Sequence, residues 1–518
     1  MSAPPPGPIN DTQTIARNSF WYGLELALSI VVSLFVSIVV ARVIGPTRLG
    51  YYNYIMLLTN VTASVGGNGL AITTRKYMAE YLNRGEGGVA RAVYLYALRL
   101  QALMCVGVTV AGLALVFWAG DPAQRIVSAF LVLNMGPRMI AYIPSQANAA
   151  GEMMKRNTGP ALLGGAIGMV ITLYGLRVGW DLYGMAIGLA LGSTVEAVAK
   201  LRAAHSWLAP IPRGTISPDL HKRMFSYSGQ GLVLVILSIV VWDRSDLVIL
   251  KWMNRDIRQV TFFATSFGLT DRLLMLPSAF SAALGATMMA QFGRAEERIR
   301  QITVTGAKYA LLLALPLLAG VACISRSFIL VAYQQLYEPM IPVLAISTLL
   351  AIPKALTAAP TALLQTVERQ GFLIWTGCIC GAVDIGLDFL LTPSQGAAGA
   401  ALANGLAQTL AAILIWRRVY RDFDVDLRLG EFARIALSGA LMAAVVLLVQ
   451  CLAPFSGVVL LTLSIVAGAL AWLTALRITG ALNETDRERL FHIGRRLPGG
   501  MRPIVERCVG LLVAEPLP

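Results

Sequence analysis

The chain has 518 residues, 56% of them hydrophobic and 14% charged, and its 42 Lys+Arg against 28 Asp+Glu give a formal charge of +14. A soluble domain carries about a quarter charged residues, so a soluble enzyme, a disordered chain and a coiled coil are excluded. The apolar residues fall in repeated blocks of roughly twenty, the length a helix needs to cross a bilayer.

Period-two alternation is absent, so the spanning elements are helices rather than barrel strands. Residues 1–18, with a Pro-rich start, read as a disordered N-terminus without the basic segment and cleavage site of a signal peptide. Predicted spans follow at 19–42, 51–73, 92–118, 124–147, 158–177, 182–201, 226–250, 260–289, 302–323, 340–365, 371–392, 396–416, 433–453 and 456–477. The fold class is therefore all-α, a polytopic membrane protein of about 14 helices. Residues 206–225 form a basic linker with Pro210, Pro212 and Pro218. It separates a six-helix lobe at 19–205 from a second at 226–418, and helices 13 and 14 at 433–477 precede a tail at 478–518. Phe20 and Tyr22 open the first span as Phe225 and Tyr227 open the seventh, a loose repeat of the kind two-lobed transporters carry.

Lys and Arg near helix ends are retained on the cytoplasmic side. With the N-terminus inside, the inner segments hold 28 of them against 8 in the outer loops, so both termini are expected in the cytoplasm. The basic residues are spread over every inner loop rather than gathered on one face, which argues against a nucleic-acid partner. Five of the six cysteines, including Cys378 and Cys380 on different helix faces, lie in spans. Neither a disulfide framework nor a metal site is indicated, and no cofactor is expected. No hydrophilic segment is long enough for a soluble domain. Function therefore lives in the bundle, and the chain is not expected to be an enzyme.

Two kinds of residue stand out within the spans. Gly184, Gly188 and Gly192, with Gly164 and Gly168 and with Gly377 and Gly381, have the spacing that lets helix backbones approach in lipid. Gly66, Gly67 and Gly69 cluster deep in the second span, where they weaken the helix and mark a candidate hinge, with simple packing as the alternative. Ionisable residues in lipid are costly and normally face a cavity or a partner. Glu196 with Lys200, and Arg99 and Lys308, lie near the basic ends, where an ion pair or snorkelling suffices. The deeper set is Arg138 beside Pro137, Asp243 with Arg244, Asp271 with Arg272, Lys354 beside Pro353, and Asp384.

Those residues meet only if their helices surround one aqueous lumen, which would then be slightly positive. Such a lumen suits an anionic headgroup, because Arg presents a fork of donors that matches phosphate. Arg138, Arg272 and Lys354, with Arg244, are the candidates for that role. Internal neutralisation, Asp243 or Asp246 with Arg244 and Asp271 across the bundle, is the competing reading. Asp384 and Asp388 fall four apart on one face of the eleventh span and can carry a proton during transport. Glu25, Asp243 and Asp271 are further candidates for ion coupling.

Two stretches carry a family likeness. ARVIGPTRLGYYNYIMLLTNVTASVGGNGLAITTRKYMAEYLNRGE, from Ala41 to Glu86, has a Gly-Pro turn, an aromatic helix entry, small residues mid-helix and a basic inner loop. ERQGFLIWTGCICGAVDIGLDFLLTPSQGAAGAALANGLAQTL, ending at Leu410, pairs the eleventh and twelfth spans through a Pro and a Gly-Ala-Ala turn. The chain resembles the polysaccharide transporters, or oligosaccharide flippases, of the multidrug/oligosaccharidyl-lipid/polysaccharide (MOP) exporter superfamily. Members often show Asn where Asp384 and Asp388 stand.

The resemblance implies a V-shaped two-lobed bundle in the bacterial inner membrane. It would pass a polyprenyl-diphosphate-linked oligosaccharide to the outer leaflet by alternating access, for capsule, exopolysaccharide or O-antigen assembly. The implied partners are membrane lipid, that glycolipid and a polysaccharide polymerase or other assembly protein. The alternatives are a lipid II flippase, an ion-coupled drug or metabolite exporter of the same superfamily, and a non-transporting scaffold of a polysaccharide synthase complex.

Overall fold

The computed structural model describes residues 30–119, 122, 124–242, 246–254, 256–291, 296–367, 369–425, 428–483 and 486. Every regular element among them is helical. They are α1 (Ile30–Ile44), α2 (Pro46–Asn83), α3 (Gly87–Ala119), α4 (Arg125–Leu133), α5 (Met135–Ala150), α6 (Lys155–Val178), α7 (Leu182–Leu208), α8 (Pro218–Trp242) and α9 (Asp246–Met253). Then come α10 (Arg258–Gln291), α11 (Glu296–Ala332), α12 (Met340–Leu350), α13 (Ile352–Ala355), α14 (Ala358–Thr366), α15 (Gln370–Gln395), α16 (Ala397–Phe423), α17 (Leu429–Leu452) and α18 (Gly457–Thr479).

Eleven helices among the described residues are long and apolar enough to cross a membrane, with α4–α5 and α12–α14 each taken as one. The described part of α1, with α8 and α10, falls on the remaining three predicted spans. Two compact units divide between Thr261 and Phe262. The seventh predicted span, α8, thus packs in the first unit, along α2.

Apolar side chains gain nothing by meeting one another instead of lipid tails, so packing rests on shape and small residues. In the first unit α6 and α7 form the tightest pair. A Cβ at Gly188 would come within 2.7 Å of the Gly168 carbonyl oxygen, and one at Gly192 within 2.6 Å of that of Gly164. Gly188→Leu is therefore expected to cost about 2–3 kcal/mol through overpacking. Thermal unfolding in detergent measures this, and an unchanged midpoint would contradict the close approach. Gly377 differs from the expected pattern, because a Cβ there would meet nothing within 4 Å.

In the second unit α11 packs against α12, α17 and α18, and α15 against α16. Gly480, at a φ of 60°, ends α18 in the left-handed region and turns the chain back toward α11. That turn delivers Asp486 to Lys308, which is only 4% exposed and also lies 2.8 Å from Glu431. The Tyr309 hydroxyl donates to Asp486 at 2.7 Å, and the Asn483 amide donates to Glu431 at 3.1 Å. Lys308 is thus held by two carboxylates distant in sequence, rather than by snorkelling. Glu196 and Lys200 do form the expected four-residue pair, at 2.6 Å.

Burial alone would raise the Asp486 carboxyl, but hydrogen bonds from Lys308, the Asn483 backbone N–H and Tyr309 outweigh it and hold it below the usual carboxylate range. A carboxyl lowered on folding contributes stability that is present above its unfolded pKa of about 3.9 and is lost as pH falls through the folded value. Residues 480–483 and Asp486 are expected to lose hydrogen-exchange protection below about pH 4 while α11 and α17 keep theirs. Protection of that segment unchanged at about pH 3 would contradict the clamp.

Candidate functional site

Prolines interrupt the fourth predicted span of each half, and each interruption lies beside a candidate cation. In the first unit the chain breaks at Asn134, before Pro137 and Arg138, which splits α4 from α5. In the second, Pro353 and Pro360 divide α12, α13 and α14 around Lys354. Pro360 has no N–H to offer the Leu356 carbonyl four residues back. The Trp416 indole N–H on α16 supplies that bond at 3.1 Å, so the break is built into the packing.

Arg138 is half-buried and donates to the Asn60 side-chain oxygen on α2. Its charge also acts on the buried Tyr52 side chain. Nearly two turns further along α2, the helix runs unbroken through Gly66, Gly67 and Gly69. A Cβ at Gly66 would lie 2.7 Å from the Met139 methyl, one at Gly67 2.5 Å from the Tyr142 ring, and one at Gly69 2.9 Å from the Ser228 carbonyl oxygen. These positions let α5 and α8 close on α2, and the buried Gln101 donates to the Gly66 carbonyl at 3.2 Å.

In the second unit Asp271 on α10 meets Lys354 at 3.7 Å, with the Lys354 ammonium 5.6 Å from the Phe267 ring centre. Beside them is a cavity of about 10 Å³ bordered by Thr270, Asn404 and Gln408, room for roughly one water. Gln408 donates to Asn404 at 2.6 Å. Arg272, next to Asp271, is half-buried.

Asp384 and Asp388 lie on the buried face of α15, each 1% exposed. Thr392 donates to Asp388 at 3.3 Å. Neither oxygen of Asp384 has a donor within hydrogen-bond distance among the described residues, and the Asn404 side chain on α16 faces it. No group of three His, Cys, Asp or Glu able to hold a metal ion occurs among the described residues.

The structure thus brings Asp271 to Lys354 and sets Asp384 with Asp388, while Arg138 lies in the first unit. Glu25, Asp243 and Arg244 fall outside the described residues. Asn60, Gln101, Asn404 and Gln408 carry no charge, so the ionisable residues of the spans do not point to them. An amide amid apolar residues is the signal that finds them.

This helical membrane protein, with polar groups at interrupted helices, has the fold of MOP superfamily transporters. An inward-closed structure of the lipid II flippase MurJ superposes with a TM-score of 0.69 at 14% identity, covering 88% of this chain and 97% of that one. An inward-facing MATE family multidrug resistance transporter gives 0.61 at 14%, covering 76% and 94%. A MOP superfamily transporter from Pyrococcus furiosus, described as having a binding pocket of reverse polarity, gives 0.59 at 13%, covering 79% and 95%. No curated protein matches the sequence. The polysaccharide biosynthesis protein family matches residues 39–342, well over half of the chain. The chain belongs to that family.

Proposed function

We infer that this protein is a flippase that moves a polyprenyl-diphosphate-linked oligosaccharide from the inner to the outer leaflet of the bacterial inner membrane. Alternating access would serve capsule, exopolysaccharide or O-antigen biosynthesis, with both termini cytoplasmic. The observation that carries this reading is the polysaccharide biosynthesis family match on a MOP transporter fold. Arg138, Arg272 and Lys354, with Arg244, take the diphosphate. Asp271 beside Lys354 sets how much of that positive charge is left for the ligand.

Ion coupling is assigned to Asp384 and Asp388, with Glu25 and Asp243 as further groups. The drive is a gradient or membrane potential, worth about 2.3 kcal/mol per charge per 100 mV. Gly66, Gly67 and Gly69 are the proposed pivot on α2. The protein's residues bind and orient the cargo and make or break no covalent bond in it.

Deleting the gene tests this reading by mass spectrometry of inner-membrane lipid-linked glycans beside the polysaccharide at the cell surface. Accumulation of one lipid-diphosphate oligosaccharide with loss of its surface polymer supports it and names the cargo. Accumulation of lipid II instead would move the assignment to that substrate, which the likeness to MurJ favours as a second reading. No change in either quantity would contradict both.

A further inference from the structure

In the second unit α16 lies between the helix of the coupling carboxylates and the helices that bring a headgroup cation. It packs along α15, which carries Asp384, and also against α12 and α13, the latter holding Lys354. Gly405 leaves no room for a Cβ beside the Leu350 side chain, so α12 closes directly on α16. Asn404 and Gln408, one turn apart on α16, are both buried.

Asn404 faces Asp384 and accepts from the Gln408 side-chain N–H at 2.6 Å. Both amides border the small cavity lined by Asp271, Lys354 and Ser347. The Ser347 hydroxyl has no hydrogen-bond partner among the described residues, so a water in the cavity meets the several polar groups it needs. A row of polar groups thus runs from Asp384 through Asn404 and Gln408 to Asp271 and Lys354.

A side-chain amide has donors at one end and an acceptor at the other, so such a row has two senses, whereas a carboxylate only accepts. With Asp384 charged, Asn404 turns its N–H toward it and Gln408 donates to the Asn404 oxygen, the sense observed. The Gln408 oxygen is then left for the cavity, where it holds the Lys354 ammonium beside Asp271, directly or through the water. With Asp384 neutral the carboxyl has a hydroxyl to give, Asn404 accepts it, and the row reverses. Gln408 then presents its N–H to the cavity, where it opposes Lys354 and donates to Asp271. No proton travels along the amides; each turns about its terminal bond.

We propose that Asn404 and Gln408 are positioning residues that carry the charge state of Asp384 to Lys354, so that neutralising Asp384 frees Lys354 from Asp271 for the diphosphate. The proposal rests on the flippase reading and deepens it by joining the coupling carboxylates to the headgroup site. The link is reciprocal, as any equilibrium coupling between two sites must be, so diphosphate on Lys354 favours the neutral Asp384. Asp388 and Cys380, one turn away on either side along α15, are the titratable neighbours of Asp384. Of the helices α15 packs on, α14 carries no ionisable residue and α16 none before Arg417. Asp271 and Lys354 are the charged groups of the cavity lining.

A double-mutant cycle on the full-length protein in nanodiscs tests this, read as the affinity for a fluorescent polyprenyl diphosphate. Asp384→Asn stands for the neutral carboxyl and is expected to bind about tenfold more tightly than the wild type, the worth of roughly one charge-assisted hydrogen bond. Gln408→Met keeps the side chain's length and removes its donor and its acceptor. In that background Asp384→Asn is expected to change the affinity by less than about twofold, and the gain is expected to vanish in Lys354→Met as well. A purely structural role for Gln408 would shift the affinity equally with and without the Asp384 carboxylate. The field of that carboxylate acting through space would survive Gln408→Met.

Asn404→Leu interrupts the row one link earlier and is carried through the same cycle, with thermal unfolding as the check that each variant folds. Equal affinities of the wild type and Asp384→Asn, a gain undiminished in the folded Gln408 or Asn404 variant, or no saturable binding by the wild type would overturn the proposal. The flippase reading is judged separately by the deletion phenotype, and it stands if lipid-linked glycan accumulates there while the cycle shows no coupling. Coupling in a protein whose loss changes no lipid-linked glycan would support the relay while ending that reading.

Discussion

Arg138→Ala is expected to lower glycan export by about two orders of magnitude while the protein still folds and inserts. A guanidinium on a phosphate makes two charge-assisted hydrogen bonds, each worth about 1.5–3 kcal/mol. Losing them raises the barrier by roughly 3 kcal/mol, or about a hundredfold in rate. Arg138 is only half-buried and its one short bond is to Asn60, so truncation leaves no buried charge behind. Arg138→Lys keeps the charge but loses the fork, and an intermediate rate is expected. Surface polysaccharide in a complemented deletion strain measures all three, with membrane abundance as the control. Wild-type export by Arg138→Ala would remove this residue from the headgroup site.

Asp384→Asn is expected to uncouple transport from the ion gradient. The carboxyl is 1% exposed and faces Asn404, and an enclosed charge of this kind costs several kcal/mol unless compensated. It can change charge only by taking up or releasing a cation. The amide keeps the shape and removes that option. In proteoliposomes an imposed proton gradient is expected to accelerate the wild type and leave Asp384→Asn at its gradient-free rate. Thermal stability of the variant is expected to be equal to or above that of the wild type, since the amide never has to carry a charge in that buried site. Full gradient dependence in Asp384→Asn would place coupling elsewhere.

The helices were legible because bilayer thickness writes their length into the sequence. The α6–α7 contact was legible because Gly164, Gly168, Gly188 and Gly192 repeat every four residues on facing helices. Other features depend on partners far apart in the chain. Nothing near Lys308 points to Asp486, 178 residues away, which turns a snorkelling lysine into the centre of a buried clamp. The breaks at Asn134 and around Lys354 were readable only in part. Pro137 and Pro353 flag them, but the Trp416 bond to the Leu356 carbonyl comes from another helix. The same limit explains the second unit's site. Asp271 pairs with Lys354 across α10 and α13, a choice the sequence left open beside a free headgroup site.

Flipping itself is tested with the lipid-linked glycan extracted from the deletion strain, placed in proteoliposomes with the purified protein. Transfer between leaflets is followed by the fraction of glycan open to periodate added outside. Flippase activity predicts that the wild type raises this fraction over time, faster with an imposed gradient, and that Arg138→Ala does not. A fraction no different from protein-free liposomes, with the wild type folded and the gradient intact, would contradict it.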